Sequence, residues 1–235
     1  MFKLSLSEAD DGQKLETKRD EAGTLSMNDL EFAALLVSRV CHDLVSPVGA
    51  VVNGLEVLEE ERDGALRADA LKLVTSSADL AAARLQFARI AFGAAGSAGA
   101  ELDLTEVGRM ITGLLSAGKT RLLWSAAPVN WPKDWAKLLM NSTLIGADAL
   151  PRGGDLTVAT STDGAPGFSI TATGQSARVH DEVLRVLRGE PSLPLDGRSI
   201  QSFLTYRLAT LLNTRLELTT SDNTITLIAG ERPSR

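Results

Sequence analysis

One stretch of this sequence restricts the fold more than any other. From Ala33 to Leu58, apolar residues recur as Ala33, Val37, Val40, Leu44, Val48, Val51, Leu55 and Leu58, at steps of 4, 3, 4, 4, 3, 4 and 3. That spacing is the seam of a long amphipathic helix, and it is incompatible with a strand, whose faces alternate every second residue. The helix is predicted from about Asn28 to Glu61, with Ser26 or Asn28 as its cap. Pro47 lies inside it and removes one backbone donor, so a bend is expected there. A seam of this length has to be covered by other helices.

The cover is close at hand. After the polar turn Glu59-Glu60-Glu61-Arg62-Asp63-Gly64, a second helical pattern runs from about Leu66 to Phe92. Leu66, Ala70, Leu73, Ser77 and Leu80 form one stripe, and Leu71, Val74, Ala78, Leu85 and Phe92 form a neighbouring one. So short a turn makes an antiparallel hairpin. The two stripes span a wider arc than one partner helix covers, which implies that two hairpins meet as a homodimeric four-helix bundle.

Gly93 to Ala100 consists of small residues and reads as a linker. Beyond it, helices are predicted near 103–117, 133–149, 180–188 and 198–212. Strands are predicted near 121–126, 155–161 and 167–173, with a closing hairpin near 214–229. The expected fold class is therefore α+β: a helical hairpin at 28–92, the linker at 93–100, and an α/β sandwich at 101–235. Residues 1–27, rich in charge and poor in periodicity, read as a disordered tail, or as sequence preceding a true start at Met27.

Composition narrows the function. The 235 residues are 44% hydrophobic and 23% charged, with net charge −6, which argues against non-specific nucleic-acid binding. No unbroken apolar run reaches the roughly 18–20 residues that cross a bilayer, and the first residues lack a signal-peptide core, so a cytoplasmic protein without membrane association is expected. One cysteine, Cys41, excludes an internal disulfide framework. Two histidines, His42 and His180, exclude a His-rich metal cluster, and no metal site or bound cofactor is expected.

Of the two, His42 is the more informative. At 100° per residue it lies about 200° from both Val40 and Leu44, so it points away from the seam. Ser38, Arg39, Ser46, Gly49, Asn53 and Glu56 share its face, and their small or polar side chains would let another protein approach closely. Adjacent helical residues diverge too far for Cys41 and His42 to act as a dyad, and Cys41 reads as a buried small apolar residue. His180, beside Asp181 and Glu182, reads as a surface residue of a helix's first turn. Trp124, Trp131 and Trp135 read as packing residues, and Arg152, Arg178 and Arg198 as a solvated edge.

The segment His42-Asp43-Leu44-Val45-Ser46-Pro47 resembles the H-box of dimeric sensor histidine kinases, whose histidine accepts a phosphoryl group. A narrower resemblance runs through Ser38-Arg39-Val40-Cys41-His42-Asp43, Ser46-Pro47, Asn53-Gly54-Leu55-Glu56, the run from Arg84 to Ala94, and Pro151-Arg152-Gly153-Gly154. Over about residues 28–230 the chain is similar to the histidine phosphotransferase family of alphaproteobacterial cell-cycle phosphorelays. That resemblance implies a phosphorelay transferase, without autokinase activity, on a degenerate kinase architecture. It implies His42 as phosphoacceptor, Asp43 as orienter or base, and the surrounding face as the receiver-docking surface. The implied partners are receiver domains of a CckA-like hybrid histidine kinase and of CtrA-like and CpdR-like response regulators, which would bring the Mg²⁺.

The same kinase comparison predicts loss of the nucleotide site. Anchored on Pro151-Arg152-Gly153-Gly154, the N-box Asn-x-x-x-Asn-Ala-x-Lys places its first Asn on Asn141. The metal-binding Asn falls on Ile145 and the Lys on Asp148. Isoleucine offers no oxygen to a hard cation. The Asp-x-Gly-x-Gly box reads Ala172-Thr173-Gly174-Gln175-Ser176, and the last Gly-x-Gly reads Ser199-Ile200-Gln201. A separate match, Gly113-Leu114-Leu115-Ser116-Ala117-Gly118-Lys119-Thr120, fits the P-loop pattern but follows a helix and precedes a strand, the reverse of the order phosphate binding needs. The leading expectation is a phosphorelay transferase. An ATP-dependent sensor-type kinase and a non-catalytic dimeric adaptor of response regulators are the alternatives.

Overall fold

A computed structural model describes residues 15–16, 18–19, 25–93, 99–161, 165–190, 194–197 and 199–230. Helix α1 (Asp29–Glu60) starts where Asn28 Oδ1 accepts the Leu30 amide at 2.8 Å. It continues unbroken through Pro47, which is buried against the second helix. Helix α2 (Gly64–Ala91) is capped by Asp63, whose carboxylate accepts the amides of Ala65 and Leu66. Arg67 closes the turn from the other side by donating to the Leu58 and Glu61 carbonyls, orphaned at the end of α1. The predicted antiparallel hairpin is present.

Its inner seam differs from the one the sequence spacing marks out. The residues buried along the hairpin's length are Pro47 and Gly54 on α1 and Ala70 and Ser77 on α2. A Cβ at Gly54 would lie 2.6 Å from Val74 Cγ2, so the helices approach to within backbone contact there. Val37, Val48 and Leu55 of the predicted seam stay exposed, and Val45 and Val52 extend that exposed stripe. Cys41 lies on it and is exposed, correcting the expectation of burial. The reason is geometric: α2 covers only one side of α1, and Cys41 sits on the other. By length and composition α1 is apolar enough to cross a membrane, although Arg39, His42 and Asp43 interrupt its apolar run.

In the C-terminal unit, strand β4 (Glu101–Asp103) pairs with β6 (Asn130–Pro132), a short ribbon the sequence did not announce. A five-stranded sheet has the order β10 (Glu217–Ser221), β11 (Thr224–Gly230), β8 (Gly167–Thr173), β7 (Gly154–Thr160), β5 (Thr120–Ser125). Only the β5–β7 pair is parallel. Helices α3 (Leu104–Leu115), α4 (Lys133–Asp148), α5 (Asp181–Leu187) and α6 (Ile200–Leu211) complete it, matching the predicted elements to within a few residues. One face of the sheet buries Leu156, Val158, Ile170, Ala172, Ile225 and Leu227 against α4 and its neighbours. Leu123 and Ile228 alternate outward, so this is a two-layer sandwich. Trp131 and Trp135 are buried edge to face at 6.3 Å, as packing residues should be.

The disordered-tail reading of residues 1–27 falls mostly outside the described residues. Where they are described, it is corrected: β1 (Leu15–Glu16) pairs with β9 (Pro194–Leu195), and β2 (Lys18–Arg19) with β3 (Leu25–Ser26). Most of the 93–100 linker also lies outside them.

The hairpin packs on the sandwich through apolar contacts at both ends of its α1–α2 pair that lie away from the turn. Phe87 and Ala91 of α2 enter the main core beside Leu104, Val107 and Ile111. Near the start of α1, Leu35 is buried with Val186, Leu195, Ile200 and Phe203, and the Phe32 ring meets Phe203 edge-on at 5.7 Å.

Candidate functional site

His42 sits in the middle of α1 with its side chain 70% exposed. Among the residues expected on its face, Ser38, Ser46, Asn53 and Glu56 are exposed, and a Cβ at Gly49 would meet nothing within 4 Å. Together they form an open surface with little side-chain bulk. Arg39 departs from the expectation. Its side chain is only 16% exposed, because it folds back to donate from Nε to Asp43 Oδ2 at 2.9 Å. The other oxygen, Asp43 Oδ1, lies 3.5 Å from His42 Nδ1. That is too long for a formed hydrogen bond but places the carboxylate on the Nδ1 side of the ring, which leaves Nε2 for an incoming group. Arg84 of α2 donates to the Asp43 carbonyl oxygen, tying this turn of α1 to the second helix.

Two neighbours from the sandwich were not legible in the sequence. A Cβ at Gly197 would lie 3.4 Å from Ser38 Oγ, so the loop after β9 abuts the His42 face. Asp148, at the end of α4, lines a cleft of about 170 Å³ together with Arg39, Asp43 and Arg84. The other sequence candidates lie elsewhere. His180 is exposed at the start of α5, Arg152 and Arg178 are exposed, and Arg198 lies outside the described residues.

The kinase-type nucleotide site can be tested directly on the residues that occupy it. Asn141 is fully buried, and its Nδ2 donates to the carbonyls of Ala91, at 3.2 Å, and Lys137, at 2.9 Å. It fastens the end of α2 to α4 instead of facing a ligand. Ile145 and Ala172 are buried in the core. Gln201 Nε2 donates to the Asn141 carbonyl at 3.3 Å. The space left beside Ile145 and Gln201 is about 40 Å³, on the scale of a single water, whereas small-molecule sites run to roughly 300 Å³ or more. These residues do not fit a nucleotide or its Mg²⁺. The P-loop-like segment spans the end of α3 and the start of β5, so it does not lead into a helix N-terminus. In the Pro151–Gly154 turn, the glycines serve chain packing. Gly153 has φ +83°, and a Cβ there would come 2.4 Å from the Lys119 carbonyl oxygen.

Comparison with known proteins places the chain in a family. Residues 104–224 match the family model for the histidine phosphotransferase C-terminal domain. The chain is 46% identical to protein phosphotransferase ChpT of Brucella abortus (strain 2308) over 187 residues, which is 79% of this chain and 88% of that one. A solved structure described as a bacterial phosphotransferase superposes with a TM-score of 0.78 at 41% identity, covering 87% of this chain and 98% of that one. The chain belongs to the ChpT-type histidine phosphotransferases, enzymes of two-component phosphorelays.

Proposed function

We propose that His42 is the phosphoacceptor, taking a phosphoryl group from the aspartyl phosphate of one receiver domain and passing it to the aspartate of another. One observation carries this reading: an imidazole 70% exposed on a face of small and polar side chains, with its Nδ1 turned toward a carboxylate. In the forward step, Nε2 attacks phosphorus in line. The phosphorus–oxygen bond to the receiver aspartate breaks, and its electron pair leaves on the carboxylate. The positive charge that develops on the ring is met at Nδ1 by Asp43. No group here needs to bind ATP, and the Mg²⁺ that screens the phosphoryl charge comes with the receiver. In this reading the donor is a receiver of the hybrid-kinase type (CckA-like) and the acceptors are of the response-regulator type (CtrA-like and CpdR-like).

The protein works as a cytoplasmic homodimer in this reading. The stripe Val37, Cys41, Val45, Val48, Val52 and Leu55 on α1, with Leu71, Ala78 and Leu85 on α2, is exposed and on α1 lies to one side of the face that carries His42. A second hairpin laid on that stripe closes a four-helix bundle and leaves both His42 faces open. The direct test is to mix the protein with a phosphorylated receiver and look for acid-labile phosphate on His42. Phosphate that appears elsewhere, or transfer that survives His42→Gln, would overturn the assignment.

A further inference from the structure

A groove of about 550 Å³ lies between the C-terminal ends of α5 and α6 and strand β10, and none of its lining residues belongs to the His42 site. Built binding pockets run from roughly 300 to 1,000 Å³. Leu187, Tyr206, Leu216 and Leu218 give it apolar surface, and the exposed Arg188 and Arg215 give it positive charge. Neither arginine is in an ion pair among the described residues. Glu217 lines the groove as well. Strand β10 is also an end of the five-stranded sheet. Its five consecutive pairs with β11 take one side of its backbone, and among the described residues no strand takes the other. Lysine, proline or a bulge commonly blunts such an edge. Glu217-Leu218-Thr219-Thr220-Ser221 has none of these. An open edge beside an apolar groove is the combination that accepts an added strand, backbone on the edge and alternate side chains in the groove.

We propose that residues 2–6 of the same chain add to β10 as a further strand, seating Phe2, Leu4 and Leu6 in this groove. Residues 1–14 lie outside the described residues. Their sequence begins Met1-Phe2-Lys3-Leu4-Ser5-Leu6-Ser7, apolar at every second position from Phe2 to Leu6, which is the period of a strand. Glu8, Asp10 and Asp11 follow and complement Arg188 and Arg215, while Lys3 complements Glu217. The chain also enters the described structure close to the groove. Leu15 pairs with Leu195, Leu195 shares a buried cluster with Phe203, and Phe203 stacks on Tyr206 with ring centroids 6.5 Å apart. Two side-chain layers therefore separate Leu195 from the groove, and residues 8–14 can span up to about 23 Å when extended. Such a tether makes the pairing intramolecular, so a few weak contacts suffice to hold the strand. The other terminus starts nearby, since Thr214 of the groove donates to the Gly230 carbonyl oxygen at 2.6 Å. Glu231-Arg232-Pro233-Ser234-Arg235 has no apolar alternation and carries two further positive charges, so it suits this groove poorly.

Hydrogen exchange of the full-length protein, resolved by strand, tests the proposal against the Leu4→Asp/Leu6→Asp variant. The β10 amides that β11 does not take should exchange about tenfold faster or more in the variant, with β8 and β11 unchanged. Equal β10 exchange in the two proteins would overturn the proposal, and so would a rise spread equally over β8 and β11, which marks general loosening. Cross-linking identifies the chain that supplies the strand. In a Cys41→Ser background, Ser5→Cys is combined in turn with Glu217→Cys, Thr219→Cys and Ser221→Cys, alternate positions that scan the register. One of these pairs should oxidise to a disulfide within a single chain, because neighbouring strands bring Cα atoms to about 4.5–5.5 Å. A covalent dimer would put a second copy on the edge, and no disulfide in any pair would leave the edge without this segment; either result overturns the assignment. None of these readouts depends on phosphoryl transfer at His42.

Discussion

In the homodimer proposed above, aspartate in place of Val52 should leave folded monomers. Alone, the chain leaves Val45, Val48, Val52, Leu55, Leu71 and Leu85 between 47% and 57% exposed along one side of the hairpin. Full burial of such side chains is worth about 1.5–3 kcal/mol each, so covering the remaining half is worth about 1 kcal/mol each, or roughly 12 kcal/mol summed over both chains. Association costs of about 4–15 kcal/mol offset most of that. The surplus is only a few kcal/mol, and an unpaired carboxylate in the dimer interface costs about 3 kcal/mol or more. A single substitution in this stripe is therefore enough. Because Val52 is half exposed in the single chain, the hairpin itself should survive, with helical circular dichroism unchanged. Light scattering at tens of micromolar is the assay. A parent protein that already runs as a monomer, or a Val52→Asp protein that still dimerises, would refute the bundle argument.

The other expected outcomes follow from single features of the structure. His42→Gln should abolish phosphoryl acceptance yet leave the melting temperature unchanged, since the side chain is 70% exposed; differential scanning fluorimetry beside the transfer assay checks both. Titration of Mg²⁺-ATP in a calorimeter should yield only heats of dilution, because Ile145 and Gln201 leave about 40 Å³ where a nucleotide would sit. Gly54→Val should destabilise the protein by about 1–3 kcal/mol through overpacking, since its Cβ would lie 2.6 Å from Val74 Cγ2; urea denaturation measures this. Phe87→Ala, which empties a 3% exposed position where α2 enters the sandwich core, should cost about 3–5 kcal/mol by the same measurement.

The sequence by itself determined what depends on short-range order. The 3.6-residue rhythm and the caps at Asn28 and Asp63 set both hairpin helices, and alternation set the strands β7 and β8, because these signals are local. The outward direction of His42 followed from the helical angle alone. The degenerate boxes at Ile145, Ala172 and Gln201 were readable because loss of a ligand atom needs no coordinates to recognise. Tertiary structure decided which apolar residues meet which. The periodicity marks Val37, Val48 and Leu55 as one seam with Val40 and Val51, but α2 can cover only one side of α1. The small residues Pro47, Gly54, Ala70 and Ser77 took that side because they permit close approach. Cys41 was misplaced for the same reason. The two-residue strands escaped notice because so short a segment has no period to read. Asp148 and Gly197 reach the His42 face from more than 100 residues away, and a contact across that separation exists only once α4 and the loop after β9 have packed against α1.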